Sequence, residues 1–231
     1  AHANGYDGST QIVAVADSGL GDGTPEGAHR DIPPERIVAI HDWPGEDSFC
    51  WDAINDGPQD VDSGHGTHTT GSVLSDGASA DEEHVFVGEG KGAAPAARLV
   101  FQAVEDYLDF TPLCEWFYGY EDGYYLVGLP DDLRDLFQQA YDDGARIHSN
   151  SWGSDAKGEY TEDAANTDDF MWNHPDMLIT TSAGNAGTDS NSDGIIDEDS
   201  MGSPATAKNI LSVGASEHDR QGHYECDESL D

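Results

Sequence analysis

A histidine set between two glycines, in Asp62-Ser63-Gly64-His65-Gly66-Thr67-His68-Thr69-Thr70-Gly71, is the stretch best suited to chemistry. The glycines let other backbone approach the ring closely. The small residues and the apolar pair Val73 and Leu74 that follow read as the first turns of a helix, so His65 projects from a helix start into a cleft. A general base needs that placement, held by backbone and reachable by substrate. A solvated loop histidine, or a metal pair made with His68, are the plainer readings of the same residues. A second candidate is Asp17, which ends the continuous apolar run Ile12-Val13-Ala14-Val15-Ala16. Such a run suits a strand buried on both faces of a parallel sheet. The turn Asp17-Ser18-Gly19 then leaves the strand's carboxyl end, where open α/β sheets place their ligands. Capping of that turn is the alternative role for Asp17.

The elements that must position these groups follow from the same patterning. Further buried-strand runs lie at 37–41, 99–104, 145–150, 177–181 and 210–215. Between them, Leu133, Leu136, Phe137, Ala140 and Tyr141 fall on one face of a helix that starts at Pro130 and ends at Gly144. Residues 161–174 suggest another helix, stopped by Pro175. Strands alternating with helices predict a three-layer α/β/α sandwich around a mostly parallel sheet. Residues 105–128 mix eight aromatics with acids and glycines; they read either as a folded-back surface loop with its own cluster or as an aromatic wall of a cleft.

Composition limits the function classes. Nine Lys plus Arg against 47 Asp plus Glu give a net charge of -38 over 231 residues, which argues against nucleic-acid and anionic-membrane partners. An apolar content of 36% in periodic blocks speaks against disorder and for one folded domain. A carboxylate-coated surface fits a secreted protein, a salt-adapted one, or both. The three cysteines, Cys50, Cys114 and Cys226, lack metal-type spacing and allow one bridge plus an orphan. No run approaches the length of a membrane span, and no signal peptide is evident. The start at Ala1 reads as a processed or cut product.

One acidic stretch has metal-ligand spacing. In 188–200, Asp189, Asn191 and Asp193 stand at positions 1, 3 and 5 of an EF-hand-like loop, with Gly194 at 6. Ile195 offers its carbonyl at 7 and Asp197 stands at 9. Ser200 occupies position 12, where a bidentate Glu is usual, so a weakened structural calcium site is expected; an acidic solvated loop is the alternative.

Four short motifs, Ile12 to Gly19, Gly64 to Gly71, Ser151-Trp152-Gly153 and Ser182-Ala183-Gly184-Asn185, together resemble those of the subtilases, the subtilisin-like serine proteases. Ile12 to Gly19 looks like the family's aspartate motif and Gly64 to Gly71 like its histidine motif. Ser151-Trp152-Gly153 is similar to the substrate-binding strand and loop, and Ser182-Ala183-Gly184-Asn185 to the oxyanion-asparagine motif. They come in the family's order, 48 residues from Asp17 to His65 and 120 from His65 to Asn185. Finer similarity in 11–17, 144–153 and 203–209 is to the KP-43-type oxidatively stable alkaline proteases. The resemblance implies that His65 is the general base, that Asp17 holds its tautomer, and that Asn185 donates to the oxyanion. It further implies that Ser151, Trp152, Gly153, Ala183 and Gly184 contact an extended polypeptide substrate, and that the protein is a monomer.

The sequence departs from the family at the nucleophile. It has no Gly-Thr-Ser-Met-Ala-type helix start; Ser216 and Ser229 lie in other contexts, and Ser200-Met201-Gly202 follows Asp199. The expectation is therefore a peptidase domain truncated before its serine segment and inactive alone. The alternative is a natural, non-catalytic peptide-binding or inhibitory module on the same scaffold. A zinc hydrolase built on His65 and His68 is the remaining class, without the His-Glu-x-x-His pattern that would support it.

Overall fold

Strand β1 (Ile12–Asp17) is buried along almost its whole length and occupies an interior position of the main sheet. The computed structural model describes residues 1–81 and 90–215. Cys226, Ser216 and Ser229 fall outside them. In chain order after β1 come β2 (Ile37–Asp42), β3 (Trp51–Ile54), α1 (His65–Leu74) and β4 (Arg98–Ala103). Then follow β5 (Asp106–Phe110), α2 (Pro112–Tyr118), β6 (Gly123–Tyr125) and α3 (Leu133–Asp142). The described elements close with β7 (Ile147–Asn150), α4 (Glu162–Asn173), β8 (Leu178–Ser182) and β9 (Leu211–Val213).

Six of the strands form one parallel sheet in the order β2-β4-β1-β7-β8-β9. These are the six apolar runs of the sequence, shifted at their ends by a residue or two. The order reverses at β1: the chain fills β4 on one side and then crosses to β7 on the other. A crevice therefore opens beyond the carboxyl end of β1, the position where parallel α/β sheets bind ligands.

Alternation along the strands separates two cores. Val15 of β1 and Leu99, Phe101 and Ala103 of β4 pack with Leu74 of α1. Ala16 packs with Leu136, Phe137, Phe170 and Trp152 on the face covered by α3 and α4, and Ala14 with Val100 and Ala140. Because successive side chains point to opposite faces, one run of small and β-branched residues serves both layers. The helix start expected at Pro130 lies at Leu133, where Asp132 accepts a hydrogen bond from the Arg134 N–H and caps the helix. Arg36 fixes the far end of α1, donating to the carbonyls of Leu74, Pro95 and Ala97 at 2.8, 2.9 and 3.2 Å.

The aromatic-rich stretch is not a loop. Its β5 and β6 join β3 in a separate antiparallel sheet, ordered β3-β5-β6. Phe110 is the hub of a small cluster with Trp51, Tyr120 and Tyr125, at ring centroid distances of 5.7, 5.0 and 5.7 Å. Cys50 and Cys114 are bonded across it, closing a loop with a sequence separation of 64. That pairing settles which two cysteines join. Among the described residues no helix is long and apolar enough to cross a membrane.

A small sheet of three short strands has little core of its own, so the covalent tie should carry much of its stability. Replacing Cys50 and Cys114 together by serine is expected to lower the free energy of unfolding by about 2–4 kcal/mol, read from the urea midpoint. An unchanged midpoint would show that the bridge restrains nothing.

Candidate active site

Asp17 ends β1 nearly inaccessible, at 3% exposure, and a buried carboxylate must be satisfied by donors. Its Oδ1 accepts from His65 Nδ1 at 2.6 Å and from the Ser18 N–H at 2.9 Å. Oδ2 accepts from the Thr69 hydroxyl at 3.1 Å. An ionised carboxylate only accepts, so the shared proton sits on Nδ1 and the Nε2 lone pair of His65 remains available. The His65 side chain is 48% exposed, so one edge of the imidazole is fixed while the other stays open to a reactant.

Local structure explains how α1 delivers His65 to that spot. Gly64 precedes the helix at φ 70°, a left-handed conformation that favours glycine. Gly66 lies against the turn after β1: a Cβ there would stand 2.2 Å from the Gly19 carbonyl oxygen, which backbone cannot relieve cheaply. The helix start is also tied to that turn by side chains. Asp60 accepts from the Thr67 N–H and hydroxyl at 2.8 and 2.6 Å and from the Ser18 hydroxyl at 3.0 Å. Ser18 Oγ in turn accepts from the Gly66 N–H at 2.9 Å. Ser18, Asp60 and Thr69 escaped the sequence reading. Their partners lie far along the chain, and Asp60 stands in a loop full of similar acids.

A cavity of about 610 Å³ opens over His65 and Asp17. Ser151, Trp152 and Gly153, which continue β7, line it, as do Gly184 and Asn185, which follow β8. Gly184 turns the chain with φ 102°, again a conformation suited to glycine, and leaves Asn185 exposed in the cavity wall. Glu105 and Leu126 are the contribution of the 105–128 stretch. Its aromatic rings are absent from the lining, so of the two readings the self-contained cluster is the one found.

Two of the residues expected at the substrate also hold the scaffold together. Trp152 is 8% exposed and its indole N–H donates to the Ala16 carbonyl at 2.9 Å, which ties the strand carrying Ser151 and Gly153 to β1. Ala183 is not part of the lining; its N–H donates to the Val213 carbonyl and its carbonyl accepts from the Gly202 N–H. The buried His148 is held by Gln102 and pushed down to about 3 by burial, so it stays neutral and away from the chemistry.

The 188–200 segment folds as a tight acidic loop. Asp189 accepts from the N–H groups of Asp193 and Gly194 at 3.0 and 2.8 Å, Asn191 from Asp193, and Asp193 from Ile195. Asp197 accepts from the Ser190 N–H at 3.0 Å, and Gly194 turns at φ 82°. An all-oxygen donor set suits calcium chemically. The carboxylates accept from the loop's own amides, and among the described residues no three His, Cys, Asp or Glu side chains gather as a metal cage. The same holds for His65 and His68.

The subtilase family model matches residues 8–227. Among curated proteins, the chain is 31% identical over 216 residues to the serine protease/ABC transporter B family protein tagD of Dictyostelium discoideum. It is 27% identical over 219 residues to tagB of the same organism. The alignments cover 90% of this chain and 10% of either relative, so the chain spans about a tenth of their length. Among solved structures, the prenylagaramide maturation protease PagA aligns with a TM-score of 0.50 at 18% identity, over 94% of this chain and 57% of that one. A point mutant of the protease domain of PatA aligns with a TM-score of 0.50 at 19% identity, over 91% and 59%. Both share the fold. With the family model spanning nearly the whole chain and the fold in agreement, this chain belongs to the subtilase family of serine proteases.

Proposed function

We propose that the protein is a serine endopeptidase acting through an Asp-His-Ser triad, of which residues 1–231 carry Asp17 and His65. The observation that carries this reading is the 2.6 Å bond between His65 and buried Asp17, inside a cavity that also holds Asn185 and Ser151-Trp152-Gly153. The nucleophilic serine is supplied, on this reading, by chain beyond residue 231. His65 Nε2 takes the hydroxyl proton as the serine oxygen bonds to the substrate carbonyl carbon, and Asp17 stabilises the imidazolium that results. The carbonyl oxygen becomes an oxyanion, to which the Asn185 side-chain amide donates. His65 then returns its proton to the leaving amine as the peptide C–N bond breaks, and water repeats the sequence to release the acyl group. Ser151 and Gly153 pair by backbone with an extended peptide, strand to strand. Polypeptides are therefore the substrate class.

The narrower likeness to the KP-43-type alkaline proteases is supported by the runs at 11–17, 144–153 and 203–209. A secreted location is supported by the Cys50–Cys114 bridge, since such bonds persist in oxidising compartments, and by the carboxylate coat. Calcium binding by Asp189, Asn191, Asp193, Ile195 and Asp197 is part of the same proposal. It is supported by the alternating oxygen donors and the Gly194 turn, and a carboxylate oxygen that accepts one amide keeps a second lone pair for the ion.

Two measurements on the full-length protein test these statements. Asp17→Asn is expected to lower kcat on a peptide substrate by ~10^4 with KM little changed, the scale found for that substitution in a serine protease triad. Asn185→Ala should lower kcat by ~10^2 to 10^3, a magnitude taken from the corresponding donor of a subtilisin rather than from this chain. A loss smaller than about tenfold in both variants would contradict the triad reading. For calcium, chelator-treated protein given calcium at about a hundred times the dissociation constant should gain about 5 °C or more in Tm. A melting temperature indifferent to calcium would refute that site.

A further inference from the structure

Glu105 stands where the sheet presents a side chain beside the catalytic dyad. Strand β4 pairs with β1 through Ala103 and Asp17, and the Val104 N–H donates to the Asp17 carbonyl at 3.0 Å. Glu105 is the next residue on, and the Gly128 N–H returns to the Val104 carbonyl at 3.0 Å, holding the Leu126 segment alongside. Because β4 and β7 flank β1 on opposite sides, Glu105 lines the cavity across β1 from Ser151.

Two of the neighbouring carboxylates, those of Asp17 and Asp60, are already committed. Asp17 accepts from His65, Ser18 and Thr69, and Asp60 from Thr67 and Ser18. Glu105 is half-buried, and its carboxylate has no hydrogen-bond or ion-pair partner among the described residues. A desolvated carboxylate without a counter-charge is unfavourable, and one partner of the right sign relieves it. We propose that Glu105 is a specificity-determining residue that selects a basic side chain, lysine or arginine, at one position of the bound peptide near the scissile bond. The inference rests on the peptidase reading of this cavity. A lysine or arginine side chain threads its aliphatic stem past Leu126 and brings the missing positive charge; a neutral or acidic side chain leaves Glu105 unpaired.

The electrostatic surroundings agree with that assignment and give it a pH signature. Burial first, and then Asp62, Asp60, Asp17 and Asp56, hold the Glu105 carboxyl up at about 7. From the other elements, His65 on α1 and Asp155 beyond β7 face the same cavity, and Tyr124 on β6 lies within the field of Glu105. A raised carboxyl is ionised above its pKa and neutral below it. Discrimination by charge is therefore strongest above about pH 7 and fades as the pH falls through that value.

The test uses the full-length protein and matched peptides carrying lysine or norleucine, scanned through the positions on either side of the cleaved bond. At one position kcat/KM should favour lysine by about tenfold or more near pH 8, with the ratio shrinking toward about pH 6. Glu105→Gln should bring that ratio close to unity and remove its pH dependence, Glu105→Asp should keep part of both, and Glu105→Lys should turn the preference toward glutamate. A wild-type ratio near unity at every position, or one that Glu105→Gln leaves intact, overturns the proposal while leaving the peptidase reading standing. The wild-type pH profile decides the matter even if a variant fails to fold. If no peptide is cleaved, the peptidase reading fails, and the same peptides scored by fluorescence anisotropy decide the charge selection. Tighter binding of the lysine peptide that Glu105→Gln abolishes supports it; equal binding overturns it.

Discussion

The hydrogen bond between His65 and buried Asp17 is the interaction to which the rest of the structure is fitted. A carboxylate at the end of a strand buried on both faces needs donors on every side; besides the Ser18 N–H, two come from a helix that starts more than forty residues later. The backbone must therefore bring α1 into contact with the turn after β1. Gly66 permits that approach because any Cβ would meet the Gly19 carbonyl, and Ser18 with Asp60 fixes the register of the two. The donors that stabilise the carboxylate also orient the imidazole: Nδ1 is tied down and Nε2 faces the cavity. Folding and chemistry thus make the same demand on the same atoms.

The charge distribution separates structural from functional work. Only nine lysines and arginines accompany 47 acids, and several of the cations sit at joints between elements. Arg36 gathers the carbonyls at the end of α1, and Arg134 joins Asp132 at the start of α3 to Asp169 on α4. Arg146 binds Asp176 and the carbonyls of Tyr141 and Ala145, connecting α3 to the approaches of β7 and β8. Arg134 and Arg146 are substantially exposed, so each pair contributes modestly and loses strength in salt. Arg36 is well shielded and does more. The same imbalance leaves the cavity wall acidic around the dyad.

How much of this was legible in the sequence follows from burial. Strands packed on both faces must be continuous apolar runs, and Ile12–Asp17 or Arg98–Ala103 cannot easily be anything else. Asp17, His65, Asn185 and Ser151-Trp152-Gly153 were legible because short backbone-constrained motifs carry them, and all of these residues line one cavity. The antiparallel sheet was missed because its strands are covered on one side only, so acids interrupt the apolar residues. The alternation was nonetheless present: Leu108 and Phe110 are buried while Asp109 between them is exposed. Trp152 lines that cavity, and its largely buried indole also donates to the Ala16 carbonyl and packs in the core, a second role that the motif does not display. Glu105, Asp60 and Thr69 carry no local signature at all. Their significance arises from contacts made across the sheet, which only the folded chain displays.

The measurement that tests the central claim most directly is labelling of the full-length protein by a fluorophosphonate, which reacts with a serine only when a neighbouring base activates it. The account predicts stoichiometric labelling at one serine beyond residue 231, abolished in His65→Ala. Folded protein that takes up no label, or labels equally well without His65, would contradict the assignment of His65 and Asp17 to a serine-protease triad and leave a peptide-binding module on the subtilase scaffold.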